Sequence, residues 1–205
     1  MKIIDISWPI SNDMTTYKNK KPVKIEPVKV FEKDKVRDTN ILFNTHTGTH
    51  IDAPSHFLQN GKTVEQISID NLIGSCCVLD FSACKKAITA DDLKKKTIDQ
   101  KIVLLKTKNS NCLPTDLFDF NFIGLSESGA EFLIEKNIKS VGIDYLGLEN
   151  NAPGHPAHKL LMEQDIIIIE GLRLSKAQEK NYTFYCLPLA LTGAEASPAR
   201  AILVE

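Results

Sequence analysis

Four consecutive isoleucines at positions 166–169 place the strongest single constraint on how this 205-residue chain can fold. Isoleucine is β-branched and favours strands, and an unbroken apolar run predicts a strand that is buried on both faces. The run ends in Glu170. Burying a carboxylate at the end of such a strand costs free energy unless the carboxylate is paired or bound to a metal. The alternative interpretation is a structural acid that bonds to an Asn or Lys side chain.

The remaining pattern predicts a mixed α/β, strand-rich fold. Predicted helices alternate with strands between residues 73 and 170, which indicates βαβ crossovers and a partly parallel sheet. The length and the absence of repeats suit a single domain, 1–205. The predicted strands are 2–6, 23–31, 39–44, 73–81, 101–106, 140–144, 165–170, 182–189 and 201–204, and the predicted helices are 89–96, 126–136 and 158–163.

A second constraint is chemical, because three of the five histidines fall within eleven residues of one stretch, NTHTGTHIDAPSHF at positions 44–57. Histidine and aspartate side chains can bind a transition metal or move a proton near neutral pH. Such side chains in this stretch are His46, His50, Asp52 and His56.

The spacing of the cluster allows two geometries. His46 and His50 are four residues apart, which on a helix would place both on one face, as in the HExxH zinc proteases. A helix is disfavoured because the intervening residues are poor helix formers and Pro54 removes a helical hydrogen bond. We predict instead that Gly48 bends the chain and returns His46 beside His50, and that His50 and Asp52 face one side of an extended segment. Surface loop residues capped by hydrogen bonds are the alternative.

The donor set predicts a metal centre. His158 lies on a segment that must return to start the strand at 165–170, so it can lie near Glu170. Three histidines and two carboxylates without a thiolate favour zinc or manganese. Five donors are too many for one four-coordinate catalytic zinc, so we predict two divalent ions bridged by Asp52 and Glu170, which supply hydroxide to attack a carbonyl. His56 is then free to act as a proton shuttle. The predicted metal ligands are His46, His50, Asp52, His158 and Glu170.

Composition excludes several classes of partner. The net charge of −1 offers no basic field for nucleic acid. The N-terminus lacks the apolar core of a signal peptide, and no run approaches the roughly 20 apolar residues of a membrane span, so we expect a cytoplasmic protein. Five cysteines without a CxxC pair indicate reduced, mostly buried thiols.

These motifs resemble those of the cyclase-like metal hydrolases, the family that includes bacterial kynurenine formamidase. The resemblance implies a swivelling β/β/α domain, usually assembled as a homodimer or a higher oligomer such as a homotetramer. It implies the same ligand set, with His56 as the general acid/base. The shared pieces are DIS at 5–7, HTGTHIDAPSH at 46–56, GID at 142–144, IIIIEGL at 166–172, and LPL with SPARAIL within 187–203.

Two segments depart from the formamidase pattern, so the resemblance does not determine the substrate. The family has an aromatic residue followed by PGD where this chain has Tyr17 followed by KNK, and the resemblance implies that this segment touches the substrate. Tyr17 is therefore the candidate substrate-binding residue. The GID motif continues as YLG at 145–147, which is bulkier than expected. His155 is interpreted as a polar residue at the surface or behind the metal ligands.

The resemblance implies a hydrolase of a small-molecule amide. The leading hypothesis is hydrolysis of N-formylkynurenine to kynurenine and formate in tryptophan breakdown, and the alternative on the same site is a cyclic amide such as isatin, or a lactone. A non-catalytic metal-binding or small-molecule-binding module is the alternative from another class. His56, which binding alone does not need, argues against that module.

Overall fold

The computed structural model describes residues 1–20 and 22–205 and confirms a mixed α/β, strand-rich fold. The helices are α1 (Phe31–Asp34), α2 (Ala90–Leu93), α3 (Glu127–Glu135) and α4 (Pro156–Glu163). The strands are β1 (Ile3–Asp5), β2 (Lys24–Lys29), β3 (Asp38–Leu42), β4 (His50–Asp52), β5 (Ile73–Asp80), β6 (Ile102–Lys106), β7 (Ser140–Ile143), β8 (Ile167–Glu170), β9 (Asn181–Pro188) and β10 (Ala196–Val204).

The main sheet of the described chain closes on itself. Its strand order is β1-β10-β4-β8-β7-β6-β5-β9, and β9 also pairs with β10. Strands β5 to β8 run parallel, as the predicted βαβ crossovers require, and the other pairs are antiparallel. Seven strands therefore form a barrel with no free edge between them, while β1 lies outside it along β10.

The isoleucine run is buried on both faces, as predicted. Ile167 and Ile169 belong to the apolar cluster inside the barrel. Ile166 and Ile168 belong to a second cluster, which packs the outer face of the parallel strands against α3 and α4. This alternation follows from the two-residue period of a strand, and it puts Glu170 on the same face as Ile168.

The predicted elements differ from those observed by one to five residues at one or both ends. The predicted helix 89–96 is the single turn α2, which Thr89 and Asp92 close with a reciprocal cap. The predicted strand 23–31 ends at Lys29, where the chain turns into α1. The final strand begins at residue 196 rather than 201, and it includes Pro198, whose carbonyl accepts a hydrogen bond from the Leu189 N–H at 3.2 Å.

Strands β2 and β3 form a hairpin outside the barrel. The hairpin leaves the rest of the fold beside a third apolar cluster. This cluster lies next to the histidine stretch, since the Trp8 N–H donates to the Thr49 hydroxyl at 2.7 Å. That cluster consists of Trp8, Met14, Val23, Phe118, Phe122, Tyr145 and Leu146.

Each cysteine of the described residues is a free thiol, and Cys76, Cys77 and Cys186 are buried, as predicted. Across the same residues, none of the helices combines the length and the apolarity that a membrane crossing requires.

Two glycines allow β4 and β8 to approach at their ends. The β4–β8 register places His50 opposite Glu170. Gly48 and Gly171, which flank these residues, have φ values of +63° and +70°. A Cβ atom on Gly171 would clash with the carbonyl of Gly48, which is backbone and cannot swing away. Gly171 is therefore required both for its backbone conformation and for the close approach.

We predict that Gly171→Ala destabilises the protein more than Gly193→Ala does. Gly193 has a similar φ of +75°, but a Cβ there would meet nothing within 4 Å. The control therefore carries the conformational cost, about 1–2 kcal/mol, without the clash. The clash should add about 1–3 kcal/mol, which urea unfolding of both variants would measure. Equal losses of unfolding free energy in the two variants would show that the Gly48 backbone moves aside without a measurable cost.

Candidate metal centre

Strand β4 and the turn before it bring three donor side chains together. His50 and Asp52 are buried and face one side, with His50 Nε2 3.4 Å from Asp52 Oδ1. The turn at Gly48 returns His46, whose ring centroid lies 5.1 Å from that of His50. His46 Nδ1 lies 2.9 Å from Asp52 Oδ1. The geometry predicted for the cluster is the one observed.

Glu170 extends the cluster from β8 to α4. Its Oε2 lies 3.3 Å from His50 Nε2, and its Oε1 lies 3.2 Å from His158 Nε2. The Leu148 N–H donates to the same Oε1 at 2.6 Å. The carboxylate of Glu170 therefore lies between two histidines, as predicted for His158 and Glu170.

His56 borders the cluster from the short 3₁₀ turn Pro54–His56. Its ring centroid lies 4.2 Å from that of His46, and it lines the same cavity. Burial lowers the pKa of the His56 imidazole, since it disfavours the charged form. His56 is thus adjacent to the other donors and open to a molecule in the cavity.

Two buried atoms of the cluster support a bound cation. Within the described residues, His50 Nε2 and Asp52 Oδ1 are buried and make no well-aligned hydrogen bond, although Glu170 Oε2 and His46 Nδ1 lie 3.3 Å and 2.9 Å from them. A buried polar atom without a partner costs about 1–3 kcal/mol. Both residues and Glu170 offer donor atoms that lie within 4.8 Å of one another, and Asp52 forms a second such group with His46 and His56. The nitrogen and oxygen donors suit a divalent metal.

The negative charge of the cluster also supports a bound cation. Asp52 and Glu170 are almost wholly buried, and no lysine or arginine occurs among the described residues that line their cavity of about 250 Å³. Burial alone would raise the pKa of Glu170, but His158 and His50 hold that pKa well below its usual range. Burial likewise opposes ionisation of His50, but Glu170 and Asp52 raise its pKa. Bound cations would balance these carboxylates and remove the need for charged histidines.

Comparisons with known proteins identify the family. The "Putative cyclase" family model matches residues 4–150. The chain belongs to the cyclase family. It is 32% identical to kynurenine formamidase of Bacillus anthracis, and the match covers 98% of this chain and 97% of that protein. It is 33% identical to cyclase-like protein 3 of Oryza sativa subsp. japonica, covering 100% of this chain and 80% of that protein. The chain spans 62–80% of the length of the plant cyclase-like proteins it matches.

Solved structures of cyclase-like proteins share the fold. A predicted metal-dependent hydrolase from Bacillus stearothermophilus is 41% identical, with a TM-score of 0.88 over 98% of this chain and 97% of that one. Isatin hydrolase A from Labrenzia aggregata is 22% identical, with a TM-score of 0.87 over 99% of this chain and 93% of that one. At this identity, the likeness establishes a shared fold and nothing further. The predicted cyclase-like fold is confirmed.

Glu149 was not identified from the sequence, and it contacts the His158 ring on the side away from Glu170. Its carboxylate accepts the backbone N–H groups of Ala157 at 2.8 Å and His158 at 3.1 Å, and it is hydrogen-bonded to His158 Nδ1. Burial raises the pKa of Glu149, but these bonds lower it below its ordinary value. Glu149 therefore caps α4 and fixes the ring that presents Nε2 to Glu170. An acid in an irregular loop gave no sequence signal.

Glu195 was also missed, and it lies on the opposite side of the cluster. Its Oε1 is 3.4 Å from His46 Nε2 and accepts the Thr45 hydroxyl at 2.7 Å. His50 Nδ1 in turn lies 2.9 Å from the Gly48 carbonyl. Each of the three histidines thus has one nitrogen toward the cluster carboxylates and the other toward an oxygen outside it, an arrangement typical of metal-binding histidines.

The structure also locates the two residues that the sequence left open. Tyr17 lines the cavity, on the 3₁₀ turn Tyr17–Asn19. His155 lines it as well and is not merely a surface residue: its Nδ1 lies 4.0 Å from Glu149 Oε2. Its ring is 5.5 Å from that of His158, between centroids. His155 therefore forms part of the cavity wall.

We predict that Glu149→Gln lowers metal affinity about 10- to 100-fold, the usual effect of losing the carboxylate behind a histidine ligand. The amide cannot accept from His158 and both backbone N–H groups as the carboxylate does, so the metal-free protein should also lose about 1–2 kcal/mol of stability. Competition with a chelator and thermal unfolding measure the two effects. Glu163→Gln, at the exposed last residue of α4, is the control. Unchanged metal affinity in Glu149→Gln would contradict this role.

Proposed function

We propose that this cyclase-family chain is a metal-dependent hydrolase of non-peptide C–N bonds, and that its substrate is an aryl formamide, with N-formylkynurenine hydrolysed to kynurenine and formate. The observation that carries the proposal is a buried cluster of histidines and carboxylates in which His50 Nε2 and Asp52 Oδ1 lack a well-aligned hydrogen bond, beside a cavity that His56 also lines. The match to a kynurenine formamidase over almost the whole chain supports the choice of substrate.

The cofactor in this proposal is a pair of divalent ions, with zinc favoured and manganese as the alternative. When bound, such ions polarise the amide carbonyl and activate water at neutral pH. Asp52 and Glu170 are the residues suited to hold both ions, because each faces histidines on two sides. The proposed ligands are His46, His50, Asp52, His158 and Glu170.

The other cavity residues have defined tasks in this proposal. His56 takes a proton from the water that attacks the carbonyl and returns it to the amine nitrogen as the C–N bond breaks, since an amine is a poor leaving group as an anion. Tyr17 orients the aryl ring of the substrate. Phe57 and Leu146 complete an apolar wall that keeps bulk water away from the reacting bond.

A cyclic amide such as isatin, or a lactone, is the second candidate substrate. The observation that favours it is the cavity volume of about 250 Å³, since ligand cavities commonly measure about 300–1,000 Å³. A compact bicyclic molecule fits such a space without using any neighbouring surface.

Steady-state hydrolysis of N-formylkynurenine, isatin and simple lactones by metal-replete protein tests the proposal. We expect the formamide to have the highest kcat/KM. Chelation should abolish turnover, and restored metal should recover it, with metal content measured per chain at each stage. Tight metal binding without turnover of any of these compounds would support the non-catalytic binding module instead.

We predict different outcomes for His50→Ala and His56→Ala. His50→Ala removes a donor while the buried carboxylates remain, so bound metal, activity and stability should fall together. His56→Ala should retain metal and fold and lose about 10²- to 10⁴-fold in kcat, the usual contribution of a positioned general acid/base. Metal analysis and kcat of both variants separate the roles. Loss of metal in His56→Ala as complete as in His50→Ala would make His56 a ligand.

The proposed assembly is a closed homodimer or homotetramer. The β2–β3 hairpin leaves apolar side chains exposed, among them Val28, Phe31, Ile41 and Leu42 at 49–63%. A two-stranded hairpin is marginally stable by itself, and a second copy of the chain would cover these side chains.

We predict a dissociation constant of about micromolar or tighter for this assembly. Phe31→Lys with Ile41→Lys should shift the mass measured by light scattering toward the monomer, because charges would enter the contact. Ile69→Lys, at a similarly exposed apolar residue outside the hairpin, is the control. A monomeric mass of the unmodified protein at high micromolar concentration would count against the assembly.

A further inference from the structure

A second cavity opens directly beside the metal centre. Its volume is about 320 Å³, and it shares Tyr17, Glu149 and His155 with the cavity of the donor cluster. These three side chains therefore form the boundary between the two spaces. We refer to the second cavity as the annex. Its other lining residues are Lys18, Phe118, Phe120, Phe122, Asn150, Asn151, Ala152 and Pro153.

One wall of the annex is aromatic. The Phe118 ring lies 5.2 Å from Tyr17 and 5.1 Å from Phe120, between centroids and in edge-to-face geometry. Phe120 leaves 54% of its surface exposed although it belongs to this aromatic group. An exposed aromatic face supported by other rings is a surface on which a further aryl ring packs favourably. The wall begins at Tyr17, so it continues from the reacting cavity.

The annex also carries a positive charge that is available to a ligand. Lys18 is exposed, and its Nζ lies 5.0 Å from the centre of the Tyr17 ring. Glu149 is the acid among the described lining residues, but it is 5% exposed and its oxygens are bonded to the start of α4. The charge that a molecule in the annex meets is therefore the ammonium of Lys18.

We propose that the annex binds the non-reacting half of the substrate and selects aryl amides that carry a carboxylate or another anionic group. The inference rests on the proposed function, because it assumes that the scissile bond lies in the neighbouring cavity. In this arrangement the aryl ring lies between Tyr17 and Phe120 and its anionic substituent pairs with Lys18. The small reacting cavity then has to hold little more than the amide group.

The test compares matched substrates that differ in charge alone. The 2-, 3- and 4-formamidobenzoates are anionic, and the corresponding formamidobenzamides are neutral aryl formamides of similar size. We expect the metal-loaded enzyme to have a higher kcat/KM for the best anionic isomer. Lys18→Ala should reduce the ratio of anionic to neutral kcat/KM about three- to fivefold, since exposed ion pairs contribute modestly, and Lys18→Glu should reduce it further. Added salt should lower the ratio in the unmodified enzyme.

Lys139→Ala is the control, because Lys139 is an exposed lysine just before β7 that lies outside the described lining of both cavities and outside the Tyr17 segment. It should leave the ratio unchanged. If the ratio of anionic to neutral kcat/KM is the same in the unmodified enzyme, Lys18→Ala and Lys18→Glu, the inference is overturned. Turnover of the aryl formamides would still support the proposed function in that case.

A complete lack of turnover of these compounds and of N-formylkynurenine would overturn the proposed function, and binding then tests the annex separately. Calorimetric titration of the same anionic and neutral pairs into the metal-loaded protein gives the ratio of their affinities. A ratio that falls in Lys18→Ala and not in Lys139→Ala would support the annex as an anion-selective aryl subsite. A ratio of one, or a ratio insensitive to Lys18, would overturn it.

Discussion

The antiparallel pairing of β4 with β8 is the interaction on which the rest of the metal centre depends. It sets His50 opposite Glu170, and both side chains are buried. Because strand side chains alternate between faces, a slip of one residue would turn His50 and Asp52 away from the cavity. Strand β4 is only three residues long and pairs with β10 on its other side. The closed barrel therefore fixes a register that so short a strand could not hold by itself.

The polar groups around the cluster reduce the cost of burying its carboxylates. Glu170 accepts the Leu148 N–H, and Glu149 accepts two N–H groups at the start of α4, where the helix dipole is positive. His158 lies between these two acids. Removal of either acid would leave the His158 ring less well oriented, so the helix cap and the metal centre form one connected hydrogen-bonded structure.

Much of the centre was predictable because its chemistry is concentrated in short sequence patterns. Gly48 and Pro54 excluded a helix, and the strand that remained placed His50 and Asp52 together. The isoleucine run identified Glu170 in the same way. Closure of the barrel was not predictable, since it depends on β9 pairing with both β5 and β10 and on a last strand that includes Pro198. Proline commonly marks the end of a strand, which explains the late predicted start.

Glu149 and Glu195 escaped prediction for a different reason. Each lies in an irregular segment, where an acid is ordinarily exposed and no sequence period distinguishes one that contacts a site. Their roles follow from packing around His158 and His46, which the chain achieves only once the barrel is closed. The sequence therefore identifies the candidate donor residues, whereas the residues that orient them can be identified only in the folded structure.

The position of the two β4–β8 partners in the chain has a consequence for biosynthesis. His50 and Glu170 are 120 residues apart, so a ribosome that adds about 5–20 residues per second completes the histidine stretch roughly 6–24 s before Glu170 exists. During that interval the nascent chain displays three histidines and Asp52 without the carboxylate that faces them. The complete cluster forms only after β8 has been synthesised and has paired with β4, so a fragment that ends before β8 would lack both the carboxylate and the strand that hold β4 in register.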